Sequence, residues 1–194
     1  MRARHAGLIA LAVCALAAYC GEARGEVFHS RESALRLAFP DADTVDKREL
    51  FLSEAQAAAA EDVARVRLQS RLVTVYVGRK QGRTLGYAFI ETHKVRSLPE
   101  TVLVVVEPDG SARALHMLAF HEPPEYAPSQ GWLEQFQGRP LDDDLSLRGD
   151  IDAITGATLT ANALTASVRR LLAVFDAAIG AAPAGGSGAT SSGE

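Results

Sequence analysis

Beyond residue 20 the chain contains no cysteine. Its two, Cys14 and Cys20, stand near the N-terminus, so the rest has no thiol, disulfide or thiolate metal ligand to offer. An excess of positive charge is also missing: 20 Lys and Arg face 24 Asp and Glu, for a net charge of −4. Pairs such as Arg79-Lys80 and Arg169-Arg170 are too short to form the basic stripe that neutralises a phosphate backbone, which argues against nucleic acid. There is no internal repeat, no Ser-His-Asp arrangement and no carboxylate pair that would mark an enzyme of its own. His93 and His116 have no companion at metal-ligand spacing and read as structural or solvated. Asp142-Asp143-Asp144 lacks the alternating ligands and glycine bend of a calcium loop and reads as a solvated loop.

What is present divides into three parts. Arg2, Arg4 and His5 precede an apolar run from Ala6 to Cys20, and Ala23-Arg24-Gly25 puts small residues ahead of Glu26. That order is a secretory signal, with residues 1–25 removed. Cleavage takes away three basic residues and one acidic one, moving the net charge from −4 to −6. The run is fifteen residues long, short of the ~20 of a spanning helix, so a membrane-anchored form is the lesser alternative. Lipidation at Cys20 is disfavoured by bulky Tyr19 before it. At the other end, residues 181–194 read AAPAGGSGATSSGE, a tail with nothing to bury and no order expected. The expected location is periplasmic or otherwise extracytoplasmic.

Between these ends the expectation is an α+β domain. Residues 26–70 read as helical: Ser30 caps a short helix stopped by Pro40, and Ser53 with Gln56 forms a capping box before an alanine-rich run. Residues 71–121 read as strands. Leu72–Val77 is rich in β-branched residues, Lys80-Gln81-Gly82 turns the chain into Leu85–Thr92, and Val102–Val106 has the composition of a buried central strand. Pro108-Asp109-Gly110 then makes a turn into Ala112–Phe120. Short connections imply an antiparallel sheet. After an irregular aromatic stretch from Glu122 to Pro140, Leu164, Val168, Leu171, Leu172, Phe175 and Ile179 recur at three- and four-residue steps, so a C-terminal helix packs one face on the sheet.

The informative segment opens that last helix: Asp152-Ala153-Ile154-Thr155-Gly156-Ala157-Thr158-Leu159-Thr160. The first N–H groups of a helix have no internal acceptor, and an anion fits there. Gly156 and Ala157 leave room for a bulky group, and Thr155, Thr158 and Thr160 supply hydroxyls. An ordinary threonine cap explains the same residues. The pattern Asp-x-x-[Ser/Thr]-Gly-Ala-Thr, however, resembles the flavinylation motif of the FMN-binding domain family, over about Leu72 to Phe175. That family includes one subunit each of the sodium-pumping NADH:quinone oxidoreductase and the Rnf electron-transport complex. The resemblance implies that a flavin transferase joins FMN through its phosphate to Thr158, with Asp152 starting the motif and Thr155, Gly156 and Ala157 forming its middle. Ser187-Gly188-Ala189-Thr190 repeats the tetrapeptide, but Ala184 stands where the aspartate belongs and no helix pattern follows.

The same family has a Glu-Thr-Pro-Gly segment beside the flavin ring. This chain has Phe120-His121-Glu122-Pro123-Pro124-Glu125-Tyr126 instead. His121 and Glu122 are candidate polar neighbours of the ring, and Tyr126 and Trp132 candidate stacking faces, with burial against the sheet as the other reading of Trp132. The signal segment and the resemblance together imply an exported electron-transfer module that passes electrons between a membrane or periplasmic partner and another redox protein. The alternatives are a flavin-dependent oxidoreductase with its own small substrate, and a flavin-free secreted anion-binding domain.

Overall fold

The computed structural model describes residues 26–180; the expected signal segment and tail, with Thr190, lie outside the described residues. Six strands form one sheet: β1 (Glu26–Val27), β2 (Thr44–Phe51), β3 (Leu72–Lys80), β4 (Arg83–Lys94), β5 (Pro99–Val106) and β6 (Ala112–Phe120). Their order is β1-β6-β5-β4-β3-β2, and every neighbouring pair is antiparallel. Four α-helices accompany them: α1 (Arg31–Ala38), α2 (Glu54–Ala64), α3 (Gln130–Leu133) and α4 (Thr158–Phe175). The α+β architecture expected from the sequence is the one observed.

Local signals start and stop these elements. The Ser30 hydroxyl accepts the Ser33 N–H at the head of α1, and Ser53 and Gln56 close a reciprocal capping box on α2. Asp109 accepts from the N–H and hydroxyl of Ser111 in the β5–β6 turn, where Gly110 takes a φ of 93°.

The two faces of the sheet bury different layers. Tyr87 and Phe89 of β4 and Val102, Val104 and Val106 of β5 face α4 through Leu164, Val168, Leu172 and Phe175. The opposite face carries Tyr76, Ala88, Leu103 and Val105 against Ala34, Ala38 and Phe39 of the α1 region. Covered on both sides, β5 is apolar at every position from Val102 to Val106. The Phe39 ring lies so close to β3 that a Cβ on Gly78 would meet it at 2.4 Å. Gly78→Ala is therefore expected to cost about 1–3 kcal/mol by overpacking, measured by chemical denaturation.

One expectation needs correcting. Residues 26–70 are not wholly helical, because β2 pairs with β3 from Thr44↔Arg79 to Phe51↔Leu72 and β1 pairs with β6. The sequence TVDKRELF of β2 shows no apolar alternation, since this edge strand is exposed along almost its whole length. Its charges guard an open edge instead.

Candidate functional site

The head of α4 has no side-chain cap. Ala157 occupies the N-cap position with φ −126° and ψ 41°, and a methyl group has nothing with which to accept an N–H. The helical ladder begins with the Ala161 N–H donating to Ala157 O. Among the described residues, the N–H groups of Thr158, Leu159 and Thr160 thus have no acceptor, at the end where the dipole is positive. Gly156 turns the chain with a φ of 80° and open space where a Cβ would stand.

This helix end forms one wall of a cleft of about 180 Å³, together with Val95, Arg96, Glu122 and Tyr126. Thr158 is exposed at it and Thr160 is buried in it. Arg96 makes no ion pair among the described residues and brings a positive charge to the same cleft. Three free N–H groups, a guanidinium and an exposed hydroxyl form a donor set for a phosphate. Val95, Leu159 and Tyr126 add apolar surface beside it.

Glu122 shapes the cleft from within the protein. Its Oε1 accepts the N–H groups of Arg96, Ser97 and Leu98 at 3.1, 2.8 and 2.8 Å, tying down the β4–β5 connection. The N–H groups of Leu98 and Ser97, chiefly, hold its carboxyl below the usual glutamate range. The sign follows from a lowered folded value. This stabilisation is fully present above the ordinary pKa of about 4.3 and is lost as pH falls through the lower folded value. Glu122→Ala is expected to speed amide exchange at Arg96, Ser97 and Leu98 by at least roughly tenfold, read by hydrogen exchange at neutral pH.

The ten candidate residues separate in space. Glu122, Tyr126, Gly156, Ala157, Thr158 and Thr160 line the cleft; His121, Trp132, Asp152 and Thr155 do not. The His121 N–H donates to Pro99 O at 3.2 Å, continuing the β5–β6 pairing. Trp132 is buried, with its ring edge-on to Phe136 at 5.3 Å. Its indole N–H donates to Asp152 O at 2.7 Å, while the Asp152 N–H donates to Gln135 Oε1 at 2.9 Å. The aromatic segment thus braces the backbone that leads into the Gly156 turn. Asp152 and Thr155 are both exposed just ahead of α4. Val95, Arg96 and Leu159 complete the cleft without having been singled out in the sequence; Arg96 is one arginine in a short connection and carries no local signal.

Two other expectations meet the structure here. Of the two readings of His93, structural or solvated, the structure shows the first: its side chain is 8% exposed and bound to Glu100. Asp142 and Asp143 act as loop residues, Asp142 Oδ1 accepting the Leu145 N–H and Asp143 pairing with Arg65.

The profile of the FMN-binding domain family matches residues 73–173, from β3 almost to the end of α4. The chain belongs to that family. FMN is accordingly its cofactor, and the donor set at α4 has the chemistry to suit a phosphate. Among relatives of this FMN-binding domain is a subunit of the Na(+)-translocating ferredoxin:NAD(+) oxidoreductase complex of Acetobacterium woodii. It is 26% identical over 153 residues, spanning 69% of this chain and 73% of the relative. The crystal structure of NqrC from Shewanella oneidensis superposes with a TM-score of 0.51 at 17% identity. That match covers 78% of this chain and 88% of the other, which establishes the shared fold. Among the described residues, no helix is long and apolar enough to cross a membrane.

Proposed function

We propose that this protein is an exported electron carrier that holds FMN through a phosphoester on Thr158. The observation that carries the reading is the uncapped α4 terminus, with Thr158 exposed at its first position. A flavin transferase would cleave the pyrophosphate of FAD, bond the FMN phosphorus to Thr158 Oγ1 and release AMP. The N–H groups of Leu159 and Thr160 and the Arg96 guanidinium would then face the phosphate oxygens. Gly156 leaves the approach to the hydroxyl open, and Asp152 marks the turn for the transferase.

Bound flavin accepts one or two electrons, and the protein tunes and orients it. A cleft of about 180 Å³ is below the ~300–1,000 Å³ of a full small-molecule site. It would hold the phosphate end, and Tyr126 and half-exposed Leu159 are the apolar residues available to the ring. A ring beside them would be open to another redox protein. The relative that is a subunit of an oxidoreductase complex supports a membrane-associated redox partner for this chain. Covalent attachment suits export, because freely exchanging FMN would be lost outside the cell, and the mature chain is expected to begin at Glu26.

The test is a mixing experiment. Flavin-loaded protein, reduced chemically without oxygen, is expected to reoxidise stoichiometrically with a one-electron acceptor protein and to show no sustained turnover with reduced nicotinamide nucleotides. Steady turnover of such a nucleotide by the protein alone would contradict the carrier reading.

A further inference from the structure

Under α4, next to the flavin cleft, lies a set of buried charged side chains that electron carriage as described does not use. Glu91 and His93 project from the same face of β4, and β5 brings Glu100 opposite His93. Arg170 Nε and Nη2 donate to the two carboxylate oxygens of Glu91, each at 2.7 Å, and the Ser167 hydroxyl also donates to Glu91. Glu91 and Arg170 therefore match in charge. His93 Nε2 lies 2.6 Å from Glu100 Oε1, with Glu100 wholly buried. Among the described residues, His93 Nδ1 and Glu100 Oε2 are left without a partner. Native proteins seldom leave such atoms bare, and both belong to one hydrogen-bonded acid–base pair.

The pair adjoins the cofactor site through two segments. Two and three residues beyond His93, Val95 and Arg96 line the flavin cleft. The Glu122 carboxylate, also in that lining, fastens the Arg96–Leu98 connection that leads to Glu100. On the other side, a second cleft of about 220 Å³ reaches Glu91 and Arg170, and Glu91 Oε2 stands 3.8 Å from His93 Nδ1. The charged groups about the pair are thus Glu91 from β4, itself held by Arg170 and Ser167 of α4, and Glu122 after β6; β6 itself offers Phe120 opposite Glu100. Burial raises the proton affinity of Glu100, His93 opposes that rise, and the Glu122 charge adds to it. A negative charge arriving at the neighbouring flavin acts in the same direction as Glu122.

We propose that the His93–Glu100 pair is a redox-linked proton site, taking up one proton when the flavin is reduced and releasing it on reoxidation. The electrons come from the redox partner and go to the flavin. The proton comes from solvent through the cleft at Glu91 and Arg170 to His93 Nδ1, 3.8 Å from Glu91 Oε2; as that N–H bond forms, the His93 Nε2–H bond breaks and an O–H bond forms at Glu100 Oε1, 2.6 Å away. Reoxidation breaks that bond and returns the proton to solvent. The inference rests on the FMN reading of the Thr158 site and extends it to proton-coupled electron transfer.

The test uses protein whose FMN content is first verified by intact mass. Midpoint potentials are measured against pH for the wild type, Glu100→Gln and His93→Gln. One extra proton per two electrons changes the reduction equilibrium tenfold per pH unit, about 30 mV. The wild type is expected to show that extra slope within part of the pH range, and both variants to lose it. Redox-difference infrared spectra of the wild type supply a readout independent of variant folding. A carboxylic-acid carbonyl band is expected to appear on reduction and to shift when glutamate is carbon-13 labelled. Equal slopes in all three proteins, or a flavin-loaded wild type without that band, would overturn the inference and leave FMN attachment standing. A protein that never acquires FMN overturns the reading beneath it, and this inference with it.

Discussion

Thr158→Val, co-produced with a flavin transferase, is expected to emerge colourless after denaturing wash, while Thr158→Ser retains its yellow flavin. Valine keeps the shape and β-branching of threonine but has no oxygen to bond to phosphorus. Because Thr158 is exposed and its side chain caps nothing within the protein, folding is expected to be unchanged within about 0.5 kcal/mol. The whole effect then falls on cofactor content, read by absorbance and in-gel flavin fluorescence. Flavin retained by the valine variant after denaturation would place the linkage elsewhere. Arg96→Ala is a useful companion, since it removes the cleft's guanidinium but not the acceptor hydroxyl; loading is expected to fall without disappearing.

The largest loss of stability is expected at Arg169, whose guanidinium is a buried clamp. Its Nε donates to Ala64 O at 2.9 Å and Nη2 to Val63 O at 3.1 Å, gathering the C-terminal carbonyls of α2. Its Nη1 donates to Asp142 O and Leu145 O at 2.5 and 3.1 Å, holding the loop on the far side. Helix C-terminal carbonyls have no partner within their own helix and attract a cation. Arg169→Leu keeps the apolar stem and strands four carbonyls. Each buried group left unpaired costs about 1–3 kcal/mol, and partial access of water reduces the sum. A loss on the order of 4 kcal/mol is expected in urea unfolding, with Tm falling by about 10 °C. Arg169→Lys should fall between, because a single ammonium cannot reach both α2 and the loop. A loss below about 1 kcal/mol for the leucine variant would show that the clamp is not what fastens α2 and the loop to α4.

The contrast between Arg169 and Thr158 explains what was legible in the sequence. Thr158 sits in a local pattern: Asp152 ahead, Gly156-Ala157 beside it, and an amphipathic helix behind. The helix was readable because Leu164, Val168, Leu172 and Phe175 all face one core. The strands from Leu72 onward were readable for a similar reason, since β5 is buried on both faces and therefore uniformly apolar from Val102 to Val106. Strand β2 escaped because an exposed edge strand buries little, and what defines it is its pairing to β3. Arg169, Arg96 and the His93–Glu100 pair escaped for another reason. Their meaning lies in contacts between separate elements, and no local spacing encodes a carbonyl 105 positions away, as between Arg169 and Ala64. Trp132 belongs to the same class. Its sequence context suggested either a stacking face or cover for the sheet, and only the indole N–H reaching back to the Asp152 carbonyl and the buried ring select the second.

The central claim is that FMN is carried on Thr158, and peptide mapping of the wild type tests it most directly. Trypsin should release residues 149–169 as one peptide containing the motif and residues 171–194 as another containing Thr190. After co-production with a flavin transferase, the FMN mass less one water is expected on the first peptide, with fragmentation placing it on Thr158. An adduct on the 171–194 peptide, on Thr155 or on Thr160, or no adduct on any peptide, would contradict it.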